Sequence, residues 1–316
     1  MFAPEFDYHK AATVAEAIEL LSSNEDAKLL AGGHSLLPLL KLRLARPSAL
    51  IDIGGISELK GITISDGSVR IGALTTHRQL AASHDLEHAC GLLSDAAGGI
   101  GDPQVRNRGT IGGNIVHADP ASDWPTVLTA LDAKFTIQGA GGATRTVEPG
   151  DFFVGPLTTT LGEQEILTSI EVPTLGHHQR AEYAKMAHPA SGFAVVGSAV
   201  VVSIHDGKCT TARIAVGGLV PAPVRMVSVE AALIGKELNQ ENIAEAASHA
   251  SEDLTGEILG DFFASAEYRK AMAEVEIRHS LFHATEVHHH LGPTRSGNTE
   301  VNAGRPSLGV AQCCAR

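Results

Sequence analysis

At 316 residues the chain is long enough for two domains with separate cores, and 43% hydrophobic with 19% charged residues is the balance of a globular protein. A formal net charge of −12 speaks against nucleic acid or an anionic membrane surface as a partner. Cys90, Cys209, Cys313 and Cys314 form no CxxC pair, so no disulfide framework, zinc knuckle or iron–sulfur ligation is expected, and with neither a signal-peptide pattern in MFAPEFDYHK nor an apolar run of bilayer length a cytoplasmic location is expected.

Thr13 and Glu16 stand as a T-x-x-E capping box, and Val14, Ala17, Ile18 and Leu21 share one face of the helix it predicts. Residues 28–31 read as a strand entering Gly32-Gly33. Residues 36–44 follow as a helix that tolerates Pro38 in its first turn, and 49–53 as a buried strand. Val69, Ile71 and Ala73 alternate as a strand, Thr76 caps a short helix through Leu80, and a longer helix spans 86–97. It leads into Gly98-Gly99-Ile100-Gly101-Asp102-Pro103, then Gly109-Thr110-Ile111-Gly112-Gly113-Asn114, whose apolar flanks predict strand. Ser122 caps a helix over 123–131, and 133–138, 144–147 and 165–172 read as strands before the boundary at Pro173 and Gly176-His177-His178. Residues 195–204 and 208–216 flank His205-Asp206-Gly207, a hairpin signal, and helices are predicted near 227–234, 240–251 and 266–282. Residues 286–316 read as a poorly ordered tail, with His288-His289-His290 a solvated run rather than a metal tract.

Three glycine segments invite a cofactor reading. Gly139-Ala140-Gly141-Gly142 is followed by Thr144-Arg145-Thr146-Val147 and Pro149, not by the helix that a dinucleotide turn requires, so it reads as a hairpin loop. Leu29-Leu30-Ala31-Gly32-Gly33-His34-Ser35-Leu36 ends a strand, turns on two glycines and opens a helix. Bare amides and a hydroxyl there suit phosphate oxygens, and a plain strand-to-helix turn fits equally well. Thr110-Ile111-Gly112-Gly113-Asn114 offers a second close backbone approach. His117, Asp119 and Asp123 beyond it lack the further ligands a metal centre needs, and none is expected.

Together, AGGHSLLPLLKLRLARPSALIDI and GDPQVRNRGTIGGNIVHADPASDWP resemble the paired FAD-binding signatures of molybdenum-hydroxylase flavoprotein subunits, the carbon monoxide dehydrogenase and xanthine dehydrogenase family. The resemblance extends over roughly residues 1–285, including EYRKAMAEVEIRHSL near the end. It implies an α+β fold: a two-lobed FAD-binding domain of the p-cresol methylhydroxylase type (residues 1–175, lobes about 1–55 and 56–175) and a small α+β C-terminal domain (176–285). It assigns Leu29, Leu30, Ala31, Gly32, Gly33, His34, Ser35 and Leu36 to the first diphosphate loop, and Thr110, Ile111, Gly112, Gly113 and Asn114 to the second. Ile100 stands at the apolar approach, Asp123 in an S-D-x-P element, Leu167 in the E-I-L-x-S-I-E strand, and Lys185 as a lysine facing the cofactor; read from the residues alone, Lys185 is a surface strand lysine.

The resemblance further implies non-covalent FAD, with His34 a packing residue rather than an attachment point, and no catalytic acid or base in this chain. The implied role is electron transfer between iron–sulfur clusters and an external acceptor. The implied partners are a small iron–sulfur subunit carrying a pair of 2Fe–2S clusters and a large subunit with molybdenum cofactor, arranged as a dimer of heterotrimers. A free-standing FAD-dependent oxidase or reductase is the rival, and a protein whose glycine turns are purely structural the second.

Overall fold

The computed structural model describes residues 2–285; the expected tail, with its three histidines and two cysteines, lies outside the described residues. Strand β1 (Asp7–Lys10), helix α1 (Val14–Ser23), β2 (Lys28–Leu30), α2 (Leu36–Lys41) and β3 (Ala49–Asp52) form the first lobe, a parallel sheet in the order β1-β3-β2. The capping box acts as predicted: Thr13 accepts from the Glu16 N–H, and the Glu16 carboxylate from the Ala12 N–H. Val14, Ala17 and Ile18 bury against Ile51, Ile53 and Ile56. Helix α2 ends at Lys41, short of the expected residue 44.

The second lobe comprises β4 (Ile62–Ser65), β5 (Ser68–Gly72), α3 (His77–Ala81), α4 (His84–Gly98), α5 (Pro103–Arg108), α6 (Ile111–His117) and α7 (Asp123–Ala130). It continues through β6 (Lys134–Gln138), β7 (Thr144–Val147), α8 (Pro149–Phe152), β8 (Phe153–Gly155), β9 (Thr158–Thr159) and β10 (Ile166–Pro173). Its antiparallel sheet runs β4-β5-β10-β6-β7, so β10 returns from far along the chain to sit between β5 and β6. Gly139 to Gly142 is the β6–β7 hairpin loop, with Gly141 at φ +67° and Gly142 at +79°, as its sequence led one to expect.

The last unit is a four-stranded sheet of β11 (Gln179–Ala187), β12 (Ala194–His205), β13 (Lys208–Gly217) and β14 (Val224–Arg225), with α9 (Val227–Leu233), α10 (Gln240–Ser248), α11 (Ala250–Asp253) and α12 (Ala266–Thr285) on one face. Asp206 at φ +48° and Gly207 at φ +77° give the β12–β13 turn the primed geometry that Asp-Gly favours. β12 is apolar on both sides because both are covered. Ala199 and Val201 pack toward the second lobe, while Val196, Val200 and Val202 pack under the helices. α7 lies so close to β13 that a Cβ at Gly217 would overlap the Thr126 hydroxyl at 2.0 Å. Among the described residues no helix is long and apolar enough to cross a membrane.

Helix α12 carries two buried ionisable side chains. Arg269 is satisfied by the carbonyls of Val195, Gly218 and Ala264 and by Asp261, so it ties α12 to the ends of β12 and β13. Glu276, only 5% exposed, has the half-exposed His279 at 3.7 Å, and burial pushes its carboxyl up to about 7. A carboxyl raised by folding adds stability below its ordinary value of 4.5 and loses it as pH rises through about 7. Glu276→Gln is therefore expected to melt near wild type at pH 4.5 and to become the more stable protein by about 3 kcal/mol at pH 8. Parallel melting curves for the two proteins across that range would count against a buried, neutralised Glu276.

Candidate functional site

The first glycine turn is built by close packing. Gly33 sits at φ +77°, in the left-handed region where a side chain is strained. A Cβ at Gly32 would stand 2.2 Å from the Arg108 carbonyl oxygen and 3.0 Å from Gly109 Cα, so the turn presses directly on the corner between α5 and α6. Helix α2 then starts with Leu37 N–H donating to Gly33 O. The N–H groups of residues 32–36 find no acceptor among the described residues. Successive unpaired amides at a helix start form a concave anion seat.

The second turn departs from its expected strand character. Thr110 is the N-cap of α6, and its hydroxyl accepts from the Gly113 N–H at 3.1 Å. Ile111 and Gly112 donate to the carbonyls of Thr75 and Ala73, and Asn114 to Thr110 O. Helix prevails because Thr-x-x-Gly forms a cap, and because Gly112 lies where any Cβ would meet Ala73 at 2.6 Å. The preceding Gly101-Asp102-Pro103 is a helix start as well: Asp102 accepts from the Val105 N–H, and Pro103 occupies the first turn of α5. All four amides of residues 111–114 are thus spent inside the protein. This turn offers the Thr110 and Asn114 side chains and the bare Cα of Gly113.

The two turns wall a cavity of about 660 Å³, within the range of cofactor pockets. Leu29, Ala31, Gly32, Gly33, His34, Ser35, Leu36, Ile100, Thr110, Gly112, Gly113, Asn114, Asp123 and Leu167 line it; Leu30, Ile111 and Lys185 do not. Ile111 is a core side chain. His34 is exposed and hydrogen-bonds Gln104 O through Nε2 at 3.1 Å. The structure adds walls that the motifs did not contain: His77, Leu161, Gly162, Glu163, and Ser191, Gly192 and Phe193. Arg145 grips Glu165 through two bonds of 2.8 and 2.7 Å, holding the carboxyl down to about 2 and fixing that wall, while Glu165 accepts from the Gly162 N–H. Nothing in the sequence marks Ser191 to Phe193; they arrive through the packing of β11 and β12.

Behind one wall lies a buried polar cluster. Asp123 receives Tyr183 Oη at 2.7 Å on one oxygen and Lys185 Nζ at 2.8 Å on the other. Lys185 also donates to Gly99 O at 3.2 Å and Gly192 O at 3.0 Å, so all three of its protons are engaged. At 15% exposure it is neither the surface lysine that the residues suggested nor a lining group of the cavity; it stands behind Asp123. Burial pushes the Asp123 carboxyl up against the opposing pull of Lys185, and pushes the Tyr183 phenol well above its usual range. Ser122, expected to cap α7, turns its hydroxyl to Asn114 Oδ1 instead and joins α6 to α7. Among the described residues no cluster of three or more histidine, cysteine, aspartate or glutamate side chains is placed to hold a metal.

An elongated dinucleotide fits these features. Unpaired amides at residues 32–36 suit a diphosphate, and bare glycine faces let it approach the backbone. The apolar walls Leu29, Ile100, Leu167 and Phe193 suit rings.

Residues 4–175 match the family model described as the FAD binding domain in molybdopterin dehydrogenase, and residues 181–282 the CO dehydrogenase flavoprotein C-terminal domain. The chain is 39% identical to the carbon monoxide dehydrogenase medium chain of Hydrogenophaga pseudoflava over 89% of this chain and 97% of that one. It is 37% identical to the nicotine 6-hydroxylase medium subunit of Paenarthrobacter nicotinovorans, over 90% and 99%. A solved structure of carbon monoxide dehydrogenase from Hydrogenophaga pseudoflava superposes with a TM-score of 0.86 at 40% identity, covering 91% of this chain and 99% of that one.

Proposed function

The chain belongs to the FAD-binding subunit family of the molybdenum hydroxylases, and we propose that it seats FAD with its diphosphate on the turn at residues 32–36. Thr110, Gly113 and Asn114 bound the other side, and Asp123, backed by Lys185, stands at the cavity wall. The single observation that carries this reading is the run of unpaired amides in residues that line a cavity bounded by both glycine turns. Bound FAD supplies the redox chemistry; the chain binds, orients and electrostatically tunes it. We place the FAD-binding domain at residues 1–175 in two lobes and the C-terminal domain at 176–285.

The chain is a flavoprotein subunit of a heteromeric oxidoreductase. Its proposed partners are a small iron–sulfur subunit and a large molybdenum-cofactor subunit, paired into a dimer of heterotrimers in the cytoplasm. Near-equal identity to medium chains of enzymes named for carbon monoxide and for nicotine, chemically unlike substrates, supports substrate choice residing outside this chain.

Co-expression of the tagged chain with an iron–sulfur and a molybdenum subunit from neighbouring genes is expected to yield one complex. It should contain FAD releasable by acid, with iron and molybdenum co-eluting on size exclusion. A purified single chain that oxidised substrate at the rate of the complex would replace this reading with a free-standing oxidase.

A further inference from the structure

We propose that His77 is a third member of the phosphate cradle, an uncharged imidazole whose Nε2–H donates to a diphosphate oxygen of the bound cofactor. The proposal rests on the FAD reading of the cavity and adds a residue that neither glycine motif contains.

His77 is the first residue of α3 and is only 2% exposed, yet its ring lines the cavity. Its N–H donates to Gly109 O at 3.0 Å, and the neighbouring Thr76 pairs with Thr110, so the ring is fixed to the second glycine turn. The Trp124 indole donates to Nδ1 at 3.2 Å. An accepting Nδ1 places the proton of a neutral imidazole on Nε2. No acceptor for that Nε2–H occurs among the described residues, and the ring borders the cavity.

Gly109 shows which way this edge opens. Its φ of −57° suits any residue, so backbone conformation does not demand glycine. A Cβ there would stand 2.9 Å from His77 Cδ2 and 3.1 Å from Nε2, with Val105 O at 3.0 Å, and would cover the edge. The adjoining Arg108 carbonyl is the atom against which Gly32 packs, so Nε2 faces the place where the two turns meet. Burial first, then the nearby charges of His34 and Arg106, push the imidazole down to about 4. The ring therefore stays a neutral donor at physiological pH.

The bland alternative is that His77 exists only to accept the indole N–H. Three variants of the full chain, purified with its partner subunits, separate the two: His77→Phe, the double variant His77→Phe/Trp124→Phe, and His77→Gln. The double variant leaves no orphaned indole N–H, so it is expected to fold and melt cooperatively, below wild type only by the cost of the smaller side chain at buried Trp124. It should nevertheless bind FAD, and ADP used as a flavin-free diphosphate probe, on the order of tenfold more weakly or worse. His77→Gln, which keeps a donor and an acceptor, is expected to retain most of the affinity. A double variant with wild-type FAD affinity would overturn the proposal in favour of the bland reading. Weakened FAD with unchanged ADP would overturn the assignment to the diphosphate. A wild-type complex devoid of FAD would overturn the parent reading, and this one with it.

Discussion

Replacing Gly32 by valine is expected to abolish FAD binding while leaving a folded chain. The Cβ alone would come within 2.2 Å of the Arg108 carbonyl oxygen and 3.0 Å of Gly109 Cα, and both obstructing atoms are backbone. No rotamer change relieves such a contact. The turn must move off the α5–α6 corner, which separates the amides of residues 32–36 from Thr110 and Gly113 across the cavity. Overpacking of this kind costs about 1–3 kcal/mol in stability. Gly32 is itself a member of neither the first-lobe core of Val14, Ala17, Ile18, Ile51 and Ile53 nor the two larger cores, so the chain should still melt cooperatively. Affinity for FAD should fall at least about a hundredfold, because several charge-assisted bonds to phosphate depend on this one position. Gly98→Ala is the control: at the exposed end of α4 its Cβ would meet nothing within 4 Å, and flavin content should not change. Full flavin occupancy in Gly32→Val, measured by absorbance per protein, would remove the first turn from the phosphate site.

Much of this site was legible because its demands fall on residue identity. A backbone that must touch backbone, as at Gly32 and Gly112, leaves a glycine in the sequence whatever element surrounds it. Hence both turns could be found, while the element carrying the second was misread. Helix α6 has seven residues and α5 six, too short to show a periodic apolar face, and Ile-Gly-Gly beside apolar neighbours resembles a strand end. Their caps, Thr110 and Asp102, were the available signal.

Lys185 was harder for another reason. Along β11, Tyr183 and Lys185 turn inward to Asp123, so the alternation of apolar and polar residues that marks a half-buried strand is broken by the cluster itself. The wall at residues 191–193 has no local signature, since it depends on β11 and β12 pairing antiparallel. That pairing brings their connecting loop over the FAD-binding lobe, where Ala194 N–H meets Ala121 O.

Lys185→Met gives the second large effect, because it removes one partner of a buried ion pair. Asp123, 6% exposed, would keep only the Tyr183 hydroxyl as a close partner. Stripping one member from such a pair costs about 3–5 kcal/mol, a fall in melting temperature on the order of 10 °C for a chain of this size. Gly192 O and Gly99 O lose their donor in the same step, so amide exchange should quicken in the loop bearing Ser191 to Phe193. The carboxyl, already raised by burial, rises further once the ammonium is gone. Two regimes follow for the flavin midpoint potential. Where Asp123 remains ionised in the variant, the cavity wall carries an uncompensated negative charge, reduction is disfavoured and the potential falls. At lower pH, where the carboxyl has taken a proton, the wall is neutral, as in wild type, and the difference closes. Adding Asp123→Asn to Lys185→Met removes the orphaned charge and should recover most of both the stability and the potential. Potentiometric titration and thermal melts of the two variants over a pH series test this together. A single variant as stable as wild type, with an unchanged potential at every pH, would show that the ammonium neither clamps the loop nor sets the charge at the cavity wall.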